Sequence, residues 1–139
     1  MEEGAKNIQT VLLVEDSDDD AFFFERAFQA ADTRTKLVRL IDGGAAVEYL
    51  ERGITETPDF VARHLMFLDL KLPVLSGFDV LQWIAERKLP LDVVVLSGSD
   101  LQGDTDLAKG LGAAEYFVKP ISSEQIRKRI LQSQEVHER

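Results

Sequence analysis

The protein is a chain of 139 residues, 45% of them hydrophobic, with 25 acidic residues, 16 basic residues and a formal net charge of −9. This charge disfavours nucleic acid and anionic membranes as partners, and the absence of cysteine excludes disulfides, thiolate metal sites and cysteine nucleophiles. No apolar run is long enough to span a bilayer, so we expect one soluble, cytoplasmic domain without membrane insertion.

Short apolar runs rich in β-branched residues alternate with longer amphipathic stretches along the chain. The runs predict strands at 10–15, 36–41, 64–69, 92–97 and 114–119. The stretches between and after them predict helices at 18–31, 44–52, 76–87, 102–110 and 122–135. Since the central strands are apolar on both faces, the alternation predicts an α/β fold with a parallel sheet covered by helices on each side.

Polar side chains follow four of these strands at their carboxyl ends. Glu15 and Asp16 follow the first strand, Asp69 closes the third, Ser97 closes the fourth and Lys119 closes the fifth. In open α/β sheets, ligands bind outside the carboxyl ends of the strands, where the strand order reverses. We therefore expect these five side chains to converge.

Carboxylates brought close together repel one another unless a cation lies among them. Mg²⁺ accepts a few protein oxygens and keeps several waters, which suits Asp16 and Asp69, with Glu15 as a candidate ligand through water. The hydroxyl of Ser97 and the ammonium group of Lys119 are suitable donors to phosphoryl oxygens. An ionised Asp69 would then be the nucleophile that forms an acyl phosphate.

Most of these residues also have an ordinary structural interpretation. Asp16 and the acidic residues after it suit the N-terminus of the following helix, Ser97 suits a turn, and Lys119 suits the surface. Asp69 differs, because an aspartate at the end of a buried strand needs a partner or a metal. The combination of the residues, rather than any single one, indicates a site.

One basic run has a simpler interpretation. Arg127, Lys128 and Arg129 lie between Ile126 and Ile130, whose spacing places the two isoleucines on one side of a helix. We therefore expect the basic run to form the solvated face of that helix.

Taken in order, the polar motifs resemble the receiver domain of bacterial two-component response regulators over nearly the whole chain. The resemblance implies a flavodoxin-like fold, in which a doubly wound five-stranded sheet has strand order 2-1-3-4-5. The matching positions are Glu15 and Asp16 in LLVEDS, Asp69 with Pro73 and Gly77, Ser97 in VVVLSGS, and Tyr116, Lys119 and Pro120 in YFVKP.

The resemblance implies a phosphorylation-activated signalling switch rather than an enzyme, although such a switch assists its own phosphorylation and dephosphorylation. Asp69 would accept a phosphoryl group from a sensor histidine kinase, from a histidine phosphotransferase in a phosphorelay, or from a small donor such as acetyl phosphate. In the family, Mg²⁺ is held by groups that match the carboxylates of Asp16 and Asp69 and the backbone carbonyl of Lys71. The side chains of Ser97 and Lys119 would bind the phosphoryl oxygens.

The resemblance also implies how the signal is transmitted. Ser97 would move toward the phosphoryl group and Tyr116 would turn inward, which shifts the population toward an active form. The peptide bond between Lys119 and Pro120 would be cis. Glycines in the segment 101–112 weaken the predicted helix there and favour such a movement.

We expect residues 1–139 to form a single receiver domain with no output domain. It would then act by binding a protein target or by passing the phosphoryl group onward. The segments LVEDSDDDAFFFERAF and DGGAAVEYL are similar to stand-alone receivers that accompany bacteriophytochromes, so a bacteriophytochrome is one candidate kinase. The downstream target stays open, as does the formation of a homodimer.

Two side chains outside the motifs support further hypotheses. Lys71 follows the acceptor by two residues, where a long cationic side chain can shield a phosphoryl group from water or simply point into solvent. On a helical wheel, Phe24, Phe28 and their alanine neighbours share one side, Phe23 flanks it and Phe22 points away. We expect core packing for most of these residues and a docking role for an exposed Phe22.

Three other classes of protein fit less well. Haloacid-dehalogenase-like phosphatases need a second aspartate two residues after the nucleophile, where this chain has Lys71. A flavin-binding protein needs hydroxyls and amides after the first strand, where this chain has acids. A receiver-like scaffold that works without phosphorylation is the main alternative, because sequence alone does not exclude it.

Overall fold

A computed structural model of the protein describes residues 8–98 and 102–135. The strands form one parallel sheet in the order β2-β1-β3-β4-β5, which confirms the predicted fold class and strand order. A 3₁₀ helix at Val61–Arg63 precedes β3. The other elements are β1 Thr10–Val14, α1 Asp18–Ala31, β2 Lys36–Leu40, α2 Gly43–Glu56, β3 His64–Asp69, α3 Gly77–Glu86, β4 Asp92–Ser97, α4 Gln102–Gly110, β5 Glu115–Val118 and α5 Ser123–Glu135.

The core consists of two apolar layers, one on each face of the sheet. Alternate side chains of the strands point to opposite faces, and every residue of β3 is buried. Helices α2, α3 and α4 cover one face through residues such as Leu50, Leu81 and Ala108. Helices α1 and α5 cover the other through Phe24 and Ile126. This burial of apolar surface stabilises the sheet and fixes its carboxyl edge.

Side-chain caps fix the start of the helices near that edge. The Ser17 hydroxyl accepts a hydrogen bond from the backbone N–H of Asp20 at 3.2 Å and so caps α1. Asp42 caps α2 by accepting from Ala45. Because Ser17 supplies the cap of α1, the carboxylate of Asp16 does not serve that purpose.

Helix α2 extends further than predicted. The pattern predicts a helix that stops before Gly53, but α2 continues to Glu56. A Cβ atom at Gly53 would lie 2.2 Å from the ring of Phe60, so glycine is the residue that lets this ring pack against the helix. That ring in turn packs against His64, with 4.1 Å between ring centroids.

The interpretation of the basic run as a solvated face is wrong for Arg129. This side chain is buried and contacts Asp92 at 2.6 Å and Glu115 at 3.0 Å, at the starts of β4 and β5. Two carboxylates offset the cost of burying its charge. Arg127 and Lys128 are exposed as expected, and Arg127 donates a hydrogen bond to the carbonyl oxygen of Ala31 at the end of α1.

The exposure of the phenylalanines of α1 differs in part from the helical-wheel prediction. Phe22 is 52% exposed, in agreement with the wheel, but Phe23 is 58% exposed rather than part of the core. The two rings contact each other edge to face, with 5.8 Å between centroids. Within the described part of the chain, no helix is both long and apolar enough to cross a membrane.

Candidate functional site

Three carboxylates meet at the carboxyl edge of the sheet. In the register of β1 and β3, Val14 lies opposite Leu68, so Glu15 lies beside Asp69. Glu15, Asp16 and Asp69 each offer an oxygen within 4.8 Å of the others. Glu15 and Asp69 are buried, whereas Asp16 is exposed. Three hard oxygen donors with one open side form a set compatible with a divalent metal ion.

The position of Asp69 makes its ionisation costly. Burial and the nearby negative charge of Glu15 raise the pKa of Asp69 to about 6, although the positive charge of Lys119 acts in the opposite direction. A carboxyl group with this pKa is mostly ionised at neutral pH, but its surroundings destabilise the charged form. The negative charges of the cluster are therefore only partly compensated, and additional positive charge would stabilise them.

Lys119 supplies part of that charge. Its ammonium nitrogen lies 2.7 Å from a carboxylate oxygen of Glu15, 2.9 Å from one of Asp20 and 3.4 Å from one of Asp69. Burial alone would lower the pKa of Lys119, but hydrogen bonds to Glu15 and Asp20 and the negative charges of Asp69 and Glu15 raise it overall. The lysine is therefore a permanent cation.

The ends of β4 and β5 position the remaining polar groups. Ser97 is buried at the end of β4, one residue after the partner of Asp69 in the register of β3 and β4. Its carbonyl oxygen accepts a 2.7 Å hydrogen bond from the backbone N–H of Lys119. The peptide bond between Lys119 and Pro120 is cis. Tyr116 is half-buried further back on β5, opposite Val95.

The loop after β3 packs tightly against the end of that strand. A Cβ atom at Gly77 would lie 2.3 Å from the carbonyl oxygen of Asp69, so a larger residue there would displace the strand end. The N–H of Gly77 donates to the carbonyl of Leu70 at 2.8 Å, which closes the loop. Lys71 is exposed on this loop.

Three contacts at the site were not predicted from the sequence. Asp20 contacts Lys119 at 2.9 Å from the first turn of α1, and no sequence pattern signalled this contact because it depends on how α1 lies against β5. Arg39 donates from Nε to the carbonyl oxygen of Glu15 at 3.0 Å and pairs with Asp18 at 3.0 Å. These contacts hold the loop that carries Glu15 and Asp16.

A cavity of about 330 Å³ lies on the far side of Lys119, between α1 and the segment after β5. Its walls are mainly apolar and include Phe23, Pro120 and Ile121, while Glu15, Asp20 and Lys119 form its polar end. The cavity therefore joins the charged cluster to the exposed aromatic face of α1.

The family of the chain follows from comparison with known proteins. A family model described as the response regulator receiver domain matches residues 11–131. The chain therefore belongs to the response regulator receiver family, whose members generally act as signalling phosphoacceptors. This result confirms the family suggested by the motifs.

Individual relatives include both regulatory proteins and phytochrome-associated receivers. "Probable methanogenesis regulatory protein FilR2" of Methanothrix harundinacea is 34% identical, over 86% of this chain and 77% of its own length. The bacteriophytochrome response regulator RtBRR has a TM-score of 0.72 and 30% identity, over 91% of this chain and 78% of that chain. The Mn²⁺-bound form of response regulator Rcp1 has a TM-score of 0.68 and 28% identity, over 91% and 92%.

Several other curated relatives are considerably longer than this chain. The chain spans 25% to 49% of their lengths, and their names describe transcriptional regulators and a cyclic di-GMP phosphodiesterase. The receiver domain is thus the part that this chain shares with them.

Proposed function

We propose that the protein is a signalling switch activated by phosphorylation of Asp69. The observation that carries the proposal is the placement of this buried carboxylate, which lies in a cluster of three carboxylates and 3.4 Å from the ammonium group of Lys119. A nucleophile surrounded by both metal-binding oxygens and a phosphate-binding cation is suited to accept a phosphoryl group.

A divalent metal fits the donor set of this site. The charge of Glu15 already raises the pKa of Asp69, and a cation among the carboxylates relieves such repulsion. Asp16, Asp69 and the backbone carbonyl of Lys71 would hold Mg²⁺, with Glu15 acting through water. When bound, Mg²⁺ neutralises charge on the oxygens of a transferring phosphoryl group.

Transfer itself requires few groups from the protein. A carboxylate oxygen of Asp69 attacks the phosphorus of a phosphohistidine, the P–N bond breaks, and its electron pair returns to the imidazole nitrogen. The ammonium group of Lys119 and the hydroxyl of Ser97 donate hydrogen bonds to the phosphoryl oxygens. With acetyl phosphate as the donor, a P–O bond breaks and acetate leaves. Hydrolysis of the acyl phosphate later restores Asp69.

The signal is a shift between two arrangements of the same residues. The phosphoryl group favours the arrangement in which Ser97 donates to it, and Tyr116 turns inward with the change. Ser97 ends β4 and Tyr116 lies on β5, so the movement alters the surface formed by α4, β5 and α5. This surface is where a protein target would detect the phosphorylated form.

The phosphodonor is a sensor histidine kinase or a histidine phosphotransferase of the cytoplasm. A bacteriophytochrome is the specific candidate, supported by likeness to RtBRR and to a phosphorylated cyanobacterial phytochrome response regulator. With a formal net charge of −9, the domain acts through protein contacts or by phosphorelay rather than on nucleic acid.

Incubation with acetyl phosphate, with and without Mg²⁺, tests the proposal by intact mass. We expect a single Mg²⁺-dependent phosphoryl adduct on the protein and none on Asp69→Asn. A protein that gains no adduct and also fails to bind beryllofluoride would contradict the proposal and leave a scaffold that works without phosphorylation.

A further inference from the structure

The three carboxylates around Lys119 hold it with unequal strength. Its ammonium nitrogen lies 2.7 Å from Glu15 and 2.9 Å from Asp20, but 3.4 Å from Asp69. Lys119 is thus engaged more closely by Glu15 and Asp20 than by the residue that would carry the phosphoryl group. A phosphoryl group on Asp69 would therefore compete with these two partners for the ammonium group.

The two close partners differ in their access to water. The side chain of Glu15 is 2% exposed, so loss of Lys119 would leave a buried, unpaired carboxylate at a large cost. The side chain of Asp20 is 42% exposed, so water can replace the lysine at a small cost. Asp20 is therefore the partner that Lys119 can exchange, while Glu15 remains bound.

The surroundings of Asp20 allow this exchange. Asp20 and Lys119 both line the cavity of about 330 Å³ beside α1. The carboxylate of Asp20 can turn into this space when the lysine leaves it. The backbone of Asp20 stays fixed, because its N–H donates to the capping hydroxyl of Ser17.

We propose that Asp20 is a positioning residue that competes with the phosphoryl group on Asp69 for Lys119, and so weakens the phosphorylated state. This inference rests on the proposed function of Asp69 as acceptor. Asp20 acts through the lysine, which its carboxylate contacts at 2.9 Å. Its effect is to raise the donor concentration or kinase activity needed to populate the active form.

Beryllofluoride, a stable stand-in for the phosphoryl group, provides the test. At saturating Mg²⁺, Asp20→Asn should bind it on the order of tenfold more tightly, which corresponds to loss of one competing charge-assisted hydrogen bond. Asp20→Glu keeps the charge and should behave like the unsubstituted protein. Fluorine NMR titration at a fixed Mg²⁺ concentration gives each affinity directly.

Asp19→Asn is the matched control. Asp19 lies in the same first turn of α1 and is exposed, so its substitution removes the same charge without touching Lys119. We expect its beryllofluoride affinity to equal that of the unsubstituted protein. Thermal unfolding of each variant checks that the helix remains folded.

The outcomes separate this inference from the proposed function. Tighter binding by Asp20→Asn, with Asp20→Glu and Asp19→Asn unchanged, supports competition for the lysine. Equal affinities for Asp20→Asn and Asp19→Asn would overturn it, and weaker binding by Asp20→Asn would show that Asp20 instead holds Lys119 in place for the phosphoryl group. No binding to the unsubstituted protein would overturn the proposed function and this inference together.

Discussion

Lys119 is the residue through which the charges of the site are balanced. Its single positive charge is shared among Glu15, Asp20 and Asp69, so it cannot neutralise all three. Asp69 is the most distant of them and has a pKa of about 6. The ionised form of Asp69 consequently lowers the stability of the fold at neutral pH, as is common for residues of functional sites.

Substitution of Asp69 by asparagine should stabilise the metal-free protein at pH 7.5. The pKa of Asp69 is about 6 in the folded chain against an ordinary value of 3.8, so the folded chain binds the proton more tightly. The stabilisation that the protonated Asp69 gives the fold is complete below pH 3.8 and is lost as the pH rises through about 6. We expect Asp69→Asn to raise the free energy of unfolding by about 2 kcal/mol at pH 7.5. This is less than the full pKa shift of Asp69 would give, because the substitution also weakens the contact with Lys119.

Urea unfolding with a chelator, at pH 7.5 and at pH 4.5, measures this effect. The gain should shrink at the lower pH, where Asp69 is protonated in the folded protein. Asp19→Asn, at an exposed position, should change stability little at either pH. A gain that is constant with pH would mean that the charge of Asp69 is not its cause.

Lys71 offers a second prediction about a single side chain. It is exposed on the loop two residues after Asp69, where a flexible cation can cover a phosphoryl group. We expect Lys71→Ala to shorten the half-life of the phosphorylated protein by about threefold, a change appropriate to an exposed ionic contact. Intact mass at intervals after removal of acetyl phosphate gives the half-life. Lys128→Ala, an exposed lysine on α5, is the control, and equal half-lives for all three proteins would exclude shielding.

Helix α1 contributes to both the charged site and a separate apolar surface. Asp20 in its first turn contacts Lys119, while Phe22 and Phe23, which follow along the helix, are exposed. Phe23 also lines the cavity beside Lys119. A partner helix that packs on this aromatic pair would therefore lie close to Lys119 and the carboxylate cluster.

We predict that Phe22→Ser slows transfer from the cognate kinase and leaves labelling by acetyl phosphate unchanged. Phe22 is 52% exposed, so its removal should cost the fold no more than about 0.5 kcal/mol while it removes an apolar contact from docking. Phosphotransfer kinetics with radiolabelled kinase measure the first effect and intact mass the second. Leu131→Ser removes an apolar residue of similar exposure, 49%, from α5 and is the control. Equal transfer rates for the two variants would argue against docking through Phe22.

At the scale of the whole molecule, the sequence predicts the order of the elements and the convergence of the strand ends well. Both depend on strong local patterns, namely apolar runs and the polar residues that follow them. The sequence predicts contacts between distant elements poorly. Burial of Arg129 depends on Asp92 and Glu115, more than ten residues away, and the ring of Phe60 packs where a Cβ atom at Gly53 would lie.

The same distinction applies to the site. Strand register brings Glu15 and Asp69 together, and the position of each carboxylate directly after an apolar run indicates this convergence. The pairing of Asp20 with Lys119 depends on how α1 is set against β5, which no local pattern reports. Acidic residues at a helix start are also ordinary caps, so Asp20 carried no separate signal.

The whole molecule should behave as a switch and not as a phosphatase. A phosphatase of the haloacid-dehalogenase type needs a second aspartate two residues after the nucleophile, and this chain has the exposed Lys71 there. We therefore expect acetyl phosphate to load close to one phosphoryl group per chain, while a phosphate ester such as p-nitrophenyl phosphate yields no sustained release of nitrophenol. Absorbance over many equivalents of ester measures turnover, with Asp69→Asn as the blank. Continuous Mg²⁺-dependent release that Asp69→Asn abolishes would identify an enzyme and contradict the switch.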